Sequence, residues 1–149
     1  MKKHSTHYLN LEGLNVRFPW SSFILNGKKT IETRSYPLPS KFVNRFISII
    51  ETYGTPGKHA CIVGIVRFSG SKLYSDVEHW TLDQPRHLVS HDDPNYKFTD
   101  SKPKWGWEID ISIPLIRKVP APKKKGIRFA SNCQVPIDAV PEKFRRLLG

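Results

Sequence analysis

Lys28, Lys29, Glu32 and Arg34 place three cations and one carboxylate within seven residues, with the hydroxyl of Thr30 between them. Charges gathered at the start of a strand must face solvent, one another or a ligand. Lys29 can neutralise a phosphate, or act as a base once it is desolvated. Glu32 can accept from the amino group of a nucleobase, or take a proton from water or a 2′-hydroxyl. Arg34 can hold a phosphate through its planar fork. The plainer alternative is a solvated turn lysine, a strand threonine and a Glu32–Arg34 ion pair that serves only the fold.

The flanking residues define how these groups are carried. Leu14, Val16 and Phe18 alternate with Asn15 and Arg17, the period of a half-buried strand. Pro19 suits the first position of a helix. Trp20, Phe23 and Ile24 then share one helical face, and Gly27 can adopt the left-handed conformation that ends it. A regular strand from Thr30 puts Thr30, Glu32 and Arg34 on one side and Ile31 and Thr33 on the other. Lys29 has the wrong parity to join Glu32 unless the backbone is irregular after Gly27.

The chain has 149 residues, 38% hydrophobic and 25% charged, which fits one soluble domain with a real core. No apolar run approaches the ~20 residues of a membrane span, so no membrane partner is expected. Lys2 and Lys3 are followed by no apolar stretch, so no signal peptide is expected. Cys61 and Cys133 are too few for a disulfide framework or a cysteine zinc site, and a reducing, cytoplasmic setting is the expectation.

Charge is the strongest bulk signal: 24 Lys and Arg against 13 Asp and Glu, a net +11. Two of those bases and six of those acids lie in residues 76–100, leaving 22 bases against 7 acids elsewhere. Such an excess favours a polyanionic partner, most simply nucleic acid.

Strands are also expected at 46–51, at 60–69, where Gly64 marks a bulge or barrel corner, and at 105–113, where Trp105, Trp107, Ile109, Ile111 and Ile113 alternate with polar residues or glycine. Residues 1–12 read as a loose tail and 13–149 as a single domain. Within it an acidic, helical insert occupies about 74–100. Ser75-x-x-Glu78 has capping-box spacing, and Asp83 precedes a second short helix with Pro85 in its first turn. Residues 115–128 read as a Pro- and Lys-rich loop before a last strand around Ile127 and Phe129, and 141–148 as a short basic helix. His87 and His91 read as a solvated pair; no metal site and no cofactor are expected. The whole suggests an α+β fold, a small mixed β-barrel with short peripheral helices.

The run Leu14 to Trp20, followed by Ile24 to Arg34, resembles the ASCH (activating signal cointegrator homology) domain, a branch of the PUA-like superfamily. The family hallmark Gly-x-Lys-x-x-Glu-x-Arg is met by Gly27, Lys29, Glu32 and Arg34, and Pro19-Trp20 fits its lead-in. Similarity is strong over 14–34 and weak to about 130. The resemblance implies a PUA-like barrel with a cleft beside the motif, and binding of RNA or modified nucleobases. Some similar proteins are ribonucleases. One subgroup is an amidohydrolase on acylated cytidine that uses a lysine, a threonine nucleophile and a glutamate; its threonine falls where this chain has Glu32, which counts against that reaction here.

Three functions follow as expectations. The first is an RNA- or nucleotide-binding domain whose cleft takes a single-stranded segment or a base, with Lys28, Lys29, Arg34, Lys123, Lys124, Lys125 and Arg128 as the nucleic-acid-binding set. The second is a hydrolase at the same cleft, a ribonuclease or an enzyme acting on a nucleoside, with Lys29, Glu32 and Thr30 as its catalytic candidates. The third is a protein-interaction domain that offers a basic surface to an acidic partner.

Overall fold

The computed structural model describes residues 7–123, 126 and 128–149. Its strands are β1 (Tyr8–Arg17), β2 (Ile31–Arg34), β3 (Phe46–Thr52), β4 (Cys61–Leu73), β5 (Trp105–Pro120) and β6 (Phe129–Pro136), and its α-helices are α1 (Trp20–Leu25), α2 (Val77–Leu82) and α3 (Gln84–His87). They form one mixed six-stranded sheet in the order β2-β5-β4-β3-β1-β6. Only β1 and β3 pair in parallel; the other neighbours are antiparallel. Among the described residues no helix is long and apolar enough to cross a membrane.

The sheet curls without closing through its backbone, since β2 and β6 remain its two edges. Trp107 of β5 and Phe129 of β6 have three strands between them in pairing order, yet their rings stack at 6.4 Å. Phe68 and Tyr36 meet Trp107 edge-on at 5.4 and 5.5 Å. One apolar cluster, which includes Leu14, Val16, Ile24, Ile49, Phe68 and Trp107, fills the end of the curl near α1. A second, which includes Ile50, Ile65, Ile113, Cys133 and Val135, fills the other end.

α1 approaches the sheet at Gly64, where a Cβ would stand 2.3 Å from a Leu25 methyl and 2.9 Å from the Ile113 carbonyl oxygen. The β4–β5 register shifts between Ile62 and Gly64, so the expected bulge is present.

Several boundaries differ from the sequence reading. Residues 8–12 are strand rather than tail: Tyr8 to Leu11 pair with Pro136 to Cys133, and half-buried Leu9 and Leu11 carry a period-two pattern. β5 continues to Pro120, where a loop is expected from 115. Because β2 pairs only with Trp105 to Glu108, the rest of that flank is an edge, and proline costs no ladder bond there. Pro19 occupies the cap position of α1, one residue before the helix. The cap of α2 is Asp76, whose carboxylate accepts from His79 N–H at 2.9 Å, while Ser75 Oγ turns to the His79 ring. Asp83 precedes α3 as expected, but its carboxylate serves Tyr74 and Lys72 instead of capping. The C-terminal turn, Glu142–Leu148, is 3₁₀. Ile127 lies outside the described residues.

Trp107 joins β5 to the far edge of the sheet, so its truncation should open the curl. Trp107→Ala is expected to cost about 3–5 kcal/mol in chemical denaturation; parental stability would refute this account of the core.

Candidate functional site

Three local devices lay out residues 26–34. Gly27 adopts φ +83°, and its N–H donates to the Ile24 carbonyl at 3.2 Å, ending α1. The Asn26 side chain accepts from Lys28 N–H at 2.9 Å. Lys29 N–H then donates to the Phe23 carbonyl at 2.9 Å. This turn removes Lys29 from the alternation of β2. Its ammonium comes 3.8 Å from Glu32 Oε1, the irregularity that sequence parity requires for the two to meet.

Lys29 is 1% exposed. Its Nζ donates to the backbone carbonyl of His87 and stands 4.9 Å from the centroid of the Trp20 ring. Burial lowers its pKa from the ordinary lysine value to about 8; Glu32 opposes that shift and Arg34 adds to it.

Glu32 is 5% exposed and stands opposite Trp107 in the sheet register. Its Oε1 accepts from Thr33 N–H at 3.1 Å, and its Oε2 accepts from Arg34 Nε at 3.2 Å and Nη2 at 2.8 Å. Burial pushes its pKa up, but Arg34, then Lys29 and the hydrogen bonds outweigh burial and hold the carboxyl below its usual range. Glu32 is thus a fixed anion and a weak base. Arg34 Nη2 also donates to the Asn15 carbonyl at 2.8 Å. The side chain therefore ties the edge strand β2 to β1, a link the backbone leaves unmade.

These groups line a cavity of about 260 Å³. Lys29, Glu32 and Arg34 contribute its charged side, with Thr33 beside them; Asn15, Val16 and Arg17 come from β1 and Thr52 from β3. Trp20 faces it from α1, and Val89 and Tyr96 from the insert, with Trp20 and Tyr96 edge-to-face at 6.0 Å. Arg17 is exposed and, among the described residues, has no carboxylate partner. The acidic insert between β4 and β5 thus supplies one wall and the carbonyl that anchors Lys29.

His87 is fully buried, not solvated as expected, whereas His91 is exposed. Its ring stacks on Trp80 at 4.0 Å, Nε2 lies 2.8 Å from the Trp80 carbonyl, and Nδ1 accepts from Val89 N–H at 3.0 Å. Burial lowers its pKa and keeps the imidazole neutral. Among the described residues no cluster of His, Cys, Asp and Glu could hold a metal ion.

The remaining candidates are scattered. Thr30 does not line the cavity; its Oγ1 accepts from Arg86 Nε at 3.2 Å. Lys28 is exposed on the turn, Lys123 is exposed, and Arg128 lies over the Tyr36 ring at 4.0 Å; none of these three lines the cavity. Lys124 and Lys125 lie outside the described residues. Sequence reasoning missed Arg17, Thr33, Val89 and Tyr96, and it placed Trp20 only on a helix face. The Pro19-Trp20 lead-in was the one available signal for Trp20.

Two measurements test this electrostatic reading. Arg34→Ala strands a buried carboxylate and is expected to cost roughly 3–5 kcal/mol in denaturant titration; a stable variant would show that the pair is idle. The Lys29 amine, followed by NMR of labelled lysine, should titrate near pH 8, and lower still in Glu32→Gln; an ordinary lysine value would contradict the burial. Because its folded pKa is depressed, the unfolded chain binds the extra proton above pH 8, so this group makes stability rise with pH from about 8 to 10.5.

No protein-family model and no curated protein matches this chain. Solved structures do. The crystal structure of ASCH from Zymomonas mobilis is 21% identical, with a TM-score of 0.58 over 73% of this chain and 72% of that one. A serine-to-alanine variant of the same protein is 18% identical, with a TM-score of 0.62 over 80% of this chain and 86% of that one. A tyrosine-to-phenylalanine variant gives 21% and 0.58 over 73% and 74%. The chain shares its α+β fold with these ASCH structures.

Proposed function

We propose that this protein binds RNA or a free nucleotide by taking one unstacked, plain or modified base into the cavity beside Lys29 and Glu32. One observation carries the reading: a cavity of about 260 Å³ with two aromatic walls, a fixed buried ion network on one side and an arginine at its edge that has no carboxylate partner among the described residues, in a chain of net charge +11. Trp20 and Tyr96 offer rings for stacking. Lys29 can donate to a base carbonyl, and Glu32 has acceptor capacity left for an exocyclic amino group. Arg34 has Nε and Nη2 committed to Glu32 and Asn15, so the phosphate-binding role first assigned to it passes to Arg17. The ASCH resemblance, whose members bind RNA or modified nucleobases, points the same way. The free thiols of Cys61 and Cys133 fit a reducing, cytoplasmic setting.

A second reading, hydrolysis at the same site, draws on the Lys29 amine, whose pKa of about 8 leaves a neutral fraction near neutral pH. In that reaction Lys29 replaces Glu32 as the proton-transfer group, while Thr30, whose Oγ1 accepts from Arg86, is not among the lining residues.

Single-stranded RNA binding, followed by fluorescence anisotropy across a salt series, tests the first reading. Trp20→Leu should weaken binding by about 1–3 kcal/mol. Arg17→Ala should reduce the salt slope by about one phosphate contact. Parental affinity in both variants would defeat the reading, and binding of an acidic protein in place of RNA would favour an interaction domain. Turnover of RNA or acylated cytidine by the parent, abolished in Lys29→Met, would establish the hydrolase.

A further inference from the structure

We propose that the nucleic-acid strand leaving the cavity runs over an aromatic ridge built by Phe18 and Tyr53, so that the protein engages at least two consecutive nucleotides; this rests on the cavity taking a base. The ridge adjoins the cavity along the backbone, and Phe18 itself lines a second, neighbouring pocket with Ser22, Glu51 and Lys118. Arg17 and Thr52 line the cavity and end β1 and β3, and the residue that follows each strand is Phe18 or Tyr53. Phe18 N–H donates to the Thr52 carbonyl at 2.9 Å, which pins the two segments together. Their rings lie 6.1 Å apart at 37°.

Phe18 is 52% exposed, in a position where the ring contributes little to the core. Tyr53 is held in place: its hydroxyl donates to Glu51 Oε1, and the other oxygen of that carboxylate accepts from Ser21 Oγ at 2.7 Å. The ring is therefore preorganised rather than free to rotate into solvent.

Cations surround the ridge. Lys58 Nζ is 5.2 Å and Lys118 Nζ 5.9 Å from the Tyr53 ring centroid. Lys118 shares Glu51 at 3.4 Å, whereas Lys58, like Arg17, has no carboxylate partner among the described residues. The Arg17 guanidinium packs on Gly54, where a Cβ would fall 1.7 Å from its Nη2. Arg17 is thus stationed between the cavity and the ridge, where the phosphate joining two nucleotides would pass. Aromatic faces for bases, with cations beside them for the backbone, are the pattern that binds single strands.

The test compares the four ribonucleoside 5′-monophosphates with the corresponding homotetraribonucleotides at fixed ionic strength. The tightest tetranucleotide should exceed its mononucleotide in affinity by between about 5- and 150-fold, the range for one added base–aromatic stack. Phe18→Leu should collapse that ratio towards one, and Phe18→Trp should keep it, with thermal unfolding confirming that both fold. Equal affinity for mono- and tetranucleotides, or an undiminished ratio in Phe18→Leu, would overturn the ridge. Failure of the cavity reading is separate: Lys29→Met would then bind mononucleotides as the parent does. Tetranucleotide binding that is lost in Phe18→Leu and intact in Lys29→Met would place the strand on the ridge alone and overturn the two-nucleotide path.

Discussion

A carboxylate buried opposite a tryptophan governs this structure. Glu32 sits on a four-residue strand, faces Trp107 across the sheet and is almost fully removed from water. An ion in that position is tolerated only when partners replace its hydration. Arg34 supplies two donors and Thr33 a backbone N–H, with the Lys29 ammonium nearby. Each partner then carries a second obligation. Arg34 reaches Asn15 and ties the open side of the sheet to β1. Lys29 needs the His87 carbonyl, which fixes the insert against the sheet. One buried charge thus couples a strand edge, a turn and an excursion of the chain more than fifty residues away.

The insert gains meaning from this coupling. By composition it is an acidic segment that dilutes a basic surface. In the fold its small core of Tyr74, Trp80 and Val89 holds α2 and α3 together, and a neutral, buried His87 orients the backbone at their end. Arg86 reaches back to Glu108 on β5 through both terminal nitrogens, and its carbonyl accepts from Thr30 N–H at 2.9 Å. The acidic groups are largely spent on such internal contacts. The side turned to the cavity is made of Val89 and Tyr96, so the wall is apolar and aromatic rather than negative, compatible with an anionic ligand beside Arg17.

Much of the architecture was legible because alternation is a direct imprint of a sheet with one buried face. The runs at 14–18, 46–51, 60–69 and 105–113 all became strands, and Gly27 and Gly64 both stand where backbone or packing demands glycine. The errors share a cause. Tyr8 to Glu12 and Leu115 to Pro120 contain polar or proline residues that look like loop, but Tyr8 to Leu11 pair with β6 beside an open flank, and β5 resumes its pairing with β4 at Val119 and Pro120 after Leu115 to Lys118 pass the register shift unpaired.

By itself the sequence determined the composition of the site: a lysine, a glutamate and an arginine behind a glycine turn, in a basic chain with an ASCH-like motif. It could not determine their division of labour, because that depends on which charges lose their water. Tertiary structure buried Lys29 beneath Trp20 and the His87 carbonyl and so lowered its pKa, spent Arg34 on Glu32 and Asn15, turned Thr30 towards Arg86, and left Arg17 at the cavity edge with no carboxylate partner among the described residues. Desolvation is set by everything that packs around a group, and here those neighbours come from β1, α1, β5 and residues 87–96, distant in the chain and brought together only by the curl of the sheet.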